Sequence, residues 1–547
     1  MRNIKRISVR VVLCATAISL FGCGDDNGAD NGGTPPKELR PGRYNAARHV
    51  ALGVSLTAGF MNGSLYTDPQ GGQKHSYDYL IAKAVHGAST DDLFKVPAFG
   101  NPGLGGVVFD TSAPGNARLI SNRVELVGVT GAGTPITRTN LSTANLQPEG
   151  LTTLSRPYNN LGIPGSLAFD ILSDAPFTFG TGRASPFYQF IFRDQRLGSN
   201  GVQQAINLLK AQPADSLKLL TLWTGANEVL GFVTSGGVTP IFPIDNFRPL
   251  YDTILARVKR EVPNVKIVVF NIPNVASIPF ATFLGPNARA VATQRGLARI
   301  FYAKGTTVDS VATADVGDVT KFMILLPGGA GVGFIGDTTN GVKGILWRTL
   351  LASINNSRLL GGQGPINLRQ LTAGFTGGLG VDTTKPIGSR ENPLPDQFTL
   401  DQSEIAAANA AVTAYNNFIN SKNSQTEGIF VVDIAGLFDR VVRQGITSPD
   451  GEELRATFLT GGIFTLDGVH PGPKGHAIVA NQMIPIIERE FGASIPAINT
   501  RNLPDGIYRV SPLARVLNGD GLPNQEFLSQ FTPQTLMPTI QAVGGHY

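Results

Sequence analysis

Short apolar runs recur along the chain, each followed, after small or polar residues, by a segment whose apolar positions fall three and four apart. The runs HVALGV (49–54), LKLLTLW (217–223), VKIVVF (265–270) and GIFVVD (428–433) predict strands. The spaced patterns in SYDYLIAKAVHG (76–87), GVQQAINLLKAQ (201–212), FRPLYDTILARVKREV (247–262), LDQSEIAAANAAVTAYNNFINSK (400–422) and KGHAIVANQMIPIIEREF (474–491) predict helices. Their alternation is the order of an α/β domain with a mainly parallel central sheet. Two stretches interrupt it: 61–159, rich in Gly, Thr and Pro, and 305–395, which contains PGGAGVGFIG and TAGFTGGLG. Connections this long are usually functional or disordered. They are expected to fold over the strand ends and shape a pocket; the phenylalanines of FMNGSL, FKVPAFG and GFIG are available as apolar lining, although phenylalanine is more often just core. The sequence carries no internal repeat.

The first segment stands apart from this pattern. Arg2, Lys5, Arg6 and Arg10 precede an apolar run at 11–21, then Gly22 and Cys23, which is the order of a secretory signal. The run is too short for a permanent membrane span. LFGC (20–23) resembles the lipobox of bacterial lipoproteins, although Phe21 is a less usual second letter. That resemblance implies a lipidated Cys23 as first residue of the mature chain, and a bacterial cell envelope location at the outer membrane. The polar, acidic, Gly-rich GDDNGADNGGTPP then reads as a tether. Its Asp25, Asp26 and Asp30 weakly resemble surface-export tethers, which leaves the periplasmic and external faces both open. The expected organisation is a signal at 1–22, a tether at 23–42, a domain at 43–491 and an extension at 492–547, which either wraps the domain or is mobile.

Removing the leader changes what the charge means. Of 45 Lys and Arg, four lie in it, so 41 remain against 40 Asp and Glu. The basic balance is therefore largely a targeting feature, and with no basic block or aromatic–basic stripe the chain has no nucleic-acid footprint. The second cysteine, Cys14, is lost with the leader, so no disulfide forms within the mature chain. A domain of this length buries enough apolar surface without one. No other stretch is long enough to span a membrane.

Ligands of open parallel sheets bind beyond the carboxyl ends of the strands, and four stretches there carry candidate chemistry. The first strand runs into Ser55. NNLGIPGS brings Gly162 and Gly165, TGANE follows the second strand with Asn227 and Glu228, and FTLDGVHPGPKGHA sets Asp467 three residues before His470. A serine hydroxyl needs an imidazole to take its proton, and the imidazole needs a carboxylate to fix its tautomer. Ser55, His470 and Asp467 can supply these roles, with Pro471 and Pro473 stiffening the loop. Taken singly each stretch has a plainer use: a turn serine, a glycine turn, Asn227 as a helix N-cap, a solvated loop histidine. Together, and in this order, they resemble the four blocks of the GDSL, or SGNH, hydrolases over roughly residues 48–491.

That resemblance implies a three-layer α/β/α, flavodoxin-like fold with long insertions at 61–159 and 305–395. It implies a serine esterase acting through an acyl-enzyme, with Ser55, Asp467 and His470 catalytic. The oxyanion donors would be the Ser55 and Gly165 amides and the Asn227 side chain. The partner is an ester substrate, and lipid, aryl and acetylated-sugar esters all remain open. A carbohydrate O-deacetylase and a lipid-anchored binding protein without turnover are the alternatives. Two positions depart from the family pattern: Val54 replaces the signature aspartate and Glu228 the aspartate after the block asparagine, which puts in doubt how the nucleophile turn is held. No cofactor is expected, and no Cys, His or carboxylate cluster has metal-ligand spacing. His476 reads as an ordinary helix residue; His49, His75, His86 and His546 carry no assigned role.

Overall fold

A computed structural model describes residues 37–109, 117–129, 135–142, 157–174, 187–192, 200–340, 342–360, 364–376 and 378–509. Cys23, the leader, the tether up to residue 36 and the tail beyond residue 509 lie outside the described residues. Five strands pair in parallel: β1 (His49–Gly53), β2 (Asn160–Gly162), β3 (Lys218–Trp223), β4 (Val265–Phe270) and β5 (Ile429–Val432). Their order across the sheet is β2-β1-β3-β4-β5. Every residue of β1, β2 and β3 is buried, as parallel strands covered on both faces require. Among the helices that cover them are α1 (Ser55–Ala58), α2 (Tyr77–His86), α3 (Gly201–Lys210), α4 (Asn227–Thr234), α5 (Ile244–Glu261), α6 (Gln402–Asn420), α7 (Ile434–Gln444) and α8 (Pro473–Phe491).

Successive strand residues point to opposite faces, and this sorts the helices into layers. His49 meets Asp78 of α2 at 3.0 Å, whereas Leu52 lies so close under the start of α3 that a Cβ at Gly201 would approach it to 3.1 Å. The two residues are three apart on one strand, so α2 and α3 cover different faces. α8 shares the α2 side, where Tyr77 stacks on His476. α5 shares the α3 side through Arg257 donating to Gln203. The result is an α/β architecture with helices on both faces of a parallel sheet.

The four predicted strands and five predicted helices form within a few residues of their expected bounds. β2, three residues long and opening on Asn160, lies outside the runs that predict strands. Within 61–159, Ala117–Val129 and Pro135–Ser142 pair as an antiparallel hairpin. Within 305–395, helix Ile345–Leu360 joins strands Arg299–Lys304 and Thr307–Ala312 around Trp347, in a core separate from that of the sheet. Most of the candidate lining phenylalanines take the core alternative. Phe94 packs on the His49 ring and Phe334, half-buried, against the Trp347 core. Phe60 is as buried as Phe94, but its ring packs on that of His470. Part of the C-terminal extension wraps back: Ser494 pairs with Arg40, and the Tyr508 carbonyl accepts from Leu126.

Candidate active site

Strand register sets the site. Gly53, the last residue of β1, pairs with Gly162 on one side and Trp223 on the other. Ser55, Gly165 and Asn227 therefore lie two, three and four residues past one line across three neighbouring strands, which run about 4.8 Å apart. Ser55 opens α1 after an extended Val54. The turn is tight: a Cβ at Gly162 would sit 2.3 Å from the Ala58 nitrogen, so only glycine lets β2 pass this close. Gly165 adopts φ 76°, the left-handed region that glycine enters at little cost.

What holds the turn is Asn160. Its Nδ2 donates to the Thr57 carbonyl at 2.7 Å and its Oδ1 accepts from the Gly162 amide at 3.0 Å. Thr57 Oγ1 also shares a 3.0 Å hydrogen bond with the Tyr77 hydroxyl. Val54 is fully buried, and its amide donates to the Trp223 carbonyl. Val54→Asp should therefore place an uncompensated carboxylate in the core, costing about 3–5 kcal/mol, with no gain in turnover. Denaturant unfolding alongside kcat checks this, and a variant as stable as the wild type would show that the site accommodates the charge.

Asn227 is the first residue of α4, and the cap position belongs to Ala226, which makes no side-chain capping bond. Its plainer use as an N-cap is thus replaced by another. Asn227 Nδ2 donates to the Ser166 carbonyl at 2.8 Å, directly beside Gly165. A carboxamide nitrogen carries two hydrogens, and Ser166 takes one. Glu228 continues the tie, accepting from the Ala168 amide at 2.7 Å.

On the acid–base loop, Asp467 Oδ2 accepts from His470 Nδ1 at 2.9 Å, with both side chains buried. The same oxygen accepts from the Gly63 amide at 3.0 Å. Asp467 Oδ1 accepts from Thr465 Oγ1 and from the amides of Val469 and His470. Burial pushes the Asp467 carboxyl up, but the neighbouring His470 and the amide donors overcome it and hold the group below the ordinary carboxylate range. The carboxylate is thus ionised and faces Nδ1, leaving His470 Nε2 buried and, among the described residues, without a hydrogen-bond partner. The Phe60 ring packs on the His470 ring at 4.9 Å, while the Phe60 amide donates to the Ser55 carbonyl.

The sequence-predicted residues thus fall into two groups. Asp467 and His470 are joined directly. Ser55, Gly165 and Asn227 share the strand-end line. Among the described residues no hydrogen bond joins the Ser55 hydroxyl to His470, a bond that in unliganded enzymes is often long and tightens with substrate. His476 is fully buried, and burial, with His470 and His75 nearby, pushes its imidazole down to about 3. It serves as a neutral core residue.

A cavity of about 80 Å³ lies alongside, lined by Leu56, which follows Ser55, by Val469 and Pro471, which flank His470, and by Trp223, Leu437 and Ile478. About 10–15 Å³ of such space is enough to admit one water, so this cavity is large enough to take a small group. Among the described residues, no group of three or more His, Cys, Asp or Glu is placed to hold a metal, and no helix is long and apolar enough to cross a membrane. Comparison with family models, with curated proteins and with solved structures gives no match.

Proposed function

We propose that this chain is a serine esterase of the GDSL/SGNH type that hydrolyses carboxylic esters through an acyl-enzyme. The observation that carries the reading is the buried Asp467–His470 pair, which fixes Nδ1 as donor and leaves Nε2 as an acceptor on a ring that packs against Phe60, whose amide donates to the Ser55 carbonyl. The strand order β2-β1-β3-β4-β5 also matches that of flavodoxin-like sheets.

In this reading Ser55 Oγ bonds to the ester carbonyl carbon as His470 Nε2 takes its proton, and Asp467 stabilises the imidazolium. The negative charge on the carbonyl oxygen is met by the Ser55 and Gly165 amides and Asn227 Nδ2. His470 then protonates the departing alkoxide. Water, activated by the same imidazole, frees the acid and restores Ser55. The largely apolar lining of the neighbouring cavity favours an aryl or short aliphatic ester over an acetylated sugar.

The lipid anchor at Cys23 and the envelope location belong to the same proposal and rest on the leader sequence alone. The test is labelling by a fluorophosphonate, which mimics the tetrahedral intermediate and stays bonded to an activated serine. Attachment at Ser55, with turnover of short aryl esters, supports the esterase; a folded protein that resists the reagent and cleaves no ester is a binding protein instead. Asn227→Ala should lower kcat by about 10²- to 10³-fold if its amide stabilises the oxyanion, with Ser55 still labelled.

A further inference from the structure

Asn62 stands seven residues after Ser55, on the segment leading out of α1. It is fully buried and adopts φ 53°, a left-handed conformation uncommon outside glycine but several-fold enriched for asparagine. Its amide donates to Thr465 Oγ1 at 3.2 Å, and its Oδ1 accepts from the Leu466 amide at 3.0 Å. Its Nδ2 donates to the Tyr66 hydroxyl at 2.7 Å and the Gly506 carbonyl at 2.8 Å, and its carbonyl accepts from Val124. Two of these partners, Thr465 and Leu466, lie within two residues of Asp467. Thr465 Oγ1 passes the contact on by donating to Asp467 Oδ1. The left-handed turn at Asn62 also aims the next amide, that of Gly63, at Asp467 Oδ2, the oxygen that accepts from His470 Nδ1.

We propose that Asn62 is a positioning residue that clamps the acid–base loop to the nucleophile segment and so sets the alignment of Asp467 on His470; this rests on the esterase reading above. The chain gives no local means of doing so, since Asn62 and Thr465 are separated by 403 positions. Asn62 also gathers three foreign pieces onto the loop: the hairpin strand at Val124, the C-terminal segment at Gly506, and the ring of Tyr66. Leu466, Val124, Leu126 and Ile507 pack as a small apolar cluster around the same point.

Asn62→Gly in the full chain is the test, because glycine keeps the left-handed turn and removes only the carboxamide. With Leu466 and Gly506 released, kcat for a short aryl ester should fall by up to about 10²-fold, the cost of a small misplacement of catalytic groups, with KM within about twofold of wild type. Residues acting through one another are non-additive, so the same substitution in a His470→Ala background should change the residual rate very little. A downfield proton resonance from His470 Nδ1–H, assigned by its loss in His470→Ala, should shift or broaden. Unchanged kcat and resonance, or a kcat loss that persists in the His470→Ala background, would overturn the proposal. If Asn62→Gly does not fold, Tyr66→Phe removes one partner of Nδ2, and no change in either readout there overturns it equally. Absence of phosphonate labelling in wild type would remove the esterase reading, and the resonance alone would then decide whether Asn62 aligns the pair.

Discussion

Ser55→Ala should lower kcat for a short aryl ester by about 10⁶-fold, and His470→Ala by a similar factor, the scale seen when either member of a serine nucleophile–imidazole unit is removed. Neither loss should reflect unfolding. The Ser55 hydroxyl makes no side-chain hydrogen bond among the described residues, so its removal leaves no stranded partner. In His470→Ala the buried Asp467 keeps the Gly63, Val469 and His470 amides and the Thr465 hydroxyl as donors, which satisfies its charge without the ring. The double variant should be no slower than either single one, since the two groups act as a unit. A Ser55→Ala protein that keeps more than about a hundredth of wild-type kcat, against that expected scale, would remove Ser55 as nucleophile.

Asp467→Asn should lower kcat by about 10⁴-fold, as the same change does to the buried aspartate of a trypsin-type triad. The reason is specific to the bonds made here. Three donors converge on Oδ1, so the amide oxygen of an asparagine is drawn to that side and its NH₂ faces Gly63 and His470. Nδ1 must then accept rather than donate, and the proton moves to Nε2, where it blocks removal of the Ser55 proton. The NH₂ also opposes the Gly63 N–H, so stability should fall along with activity. Measuring kcat beside thermal unfolding separates the two effects, and a loss of less than about tenfold would mean that the histidine tautomer is set by something other than Asp467.

The candidate site was legible where chemistry follows local order. Asp467 and His470 lie three apart on one loop, so a single turn can join them, and they are joined. Ser55, Gly165 and Asn227 were each marked by a strand end or a glycine turn. Asn160, which ties the nucleophile turn, carries no such mark: its bond to the Gly162 amide is local, but the Thr57 carbonyl reaches its Nδ2 only when β2 pairs with β1. The phenylalanines of the insertions likewise could not be sorted between lining and core, since both uses draw on the same apolar side chain.

By itself the sequence determined the α/β alternation, four of the five described parallel strands, the helices flanking them and the three-residue spacing that lets Asp467 reach His470. These features rest on apolar periodicity and on turn chemistry, which act over a few residues and leave a local pattern. Tertiary structure alone decided the rest. β2 is three residues long and begins with a polar Asn160, so it is a strand only by virtue of its pairing with Ala51–Gly53. The sheet order follows from which strands pair, and no single segment carries that information. Asn62, Tyr66, Thr465 and Gly506 converge on the acid–base loop through hydrogen bonds spanning up to 444 positions. A hydrogen bond of that kind constrains two side chains without imposing any period on the chain between them, and so it leaves no trace until the fold brings its ends together.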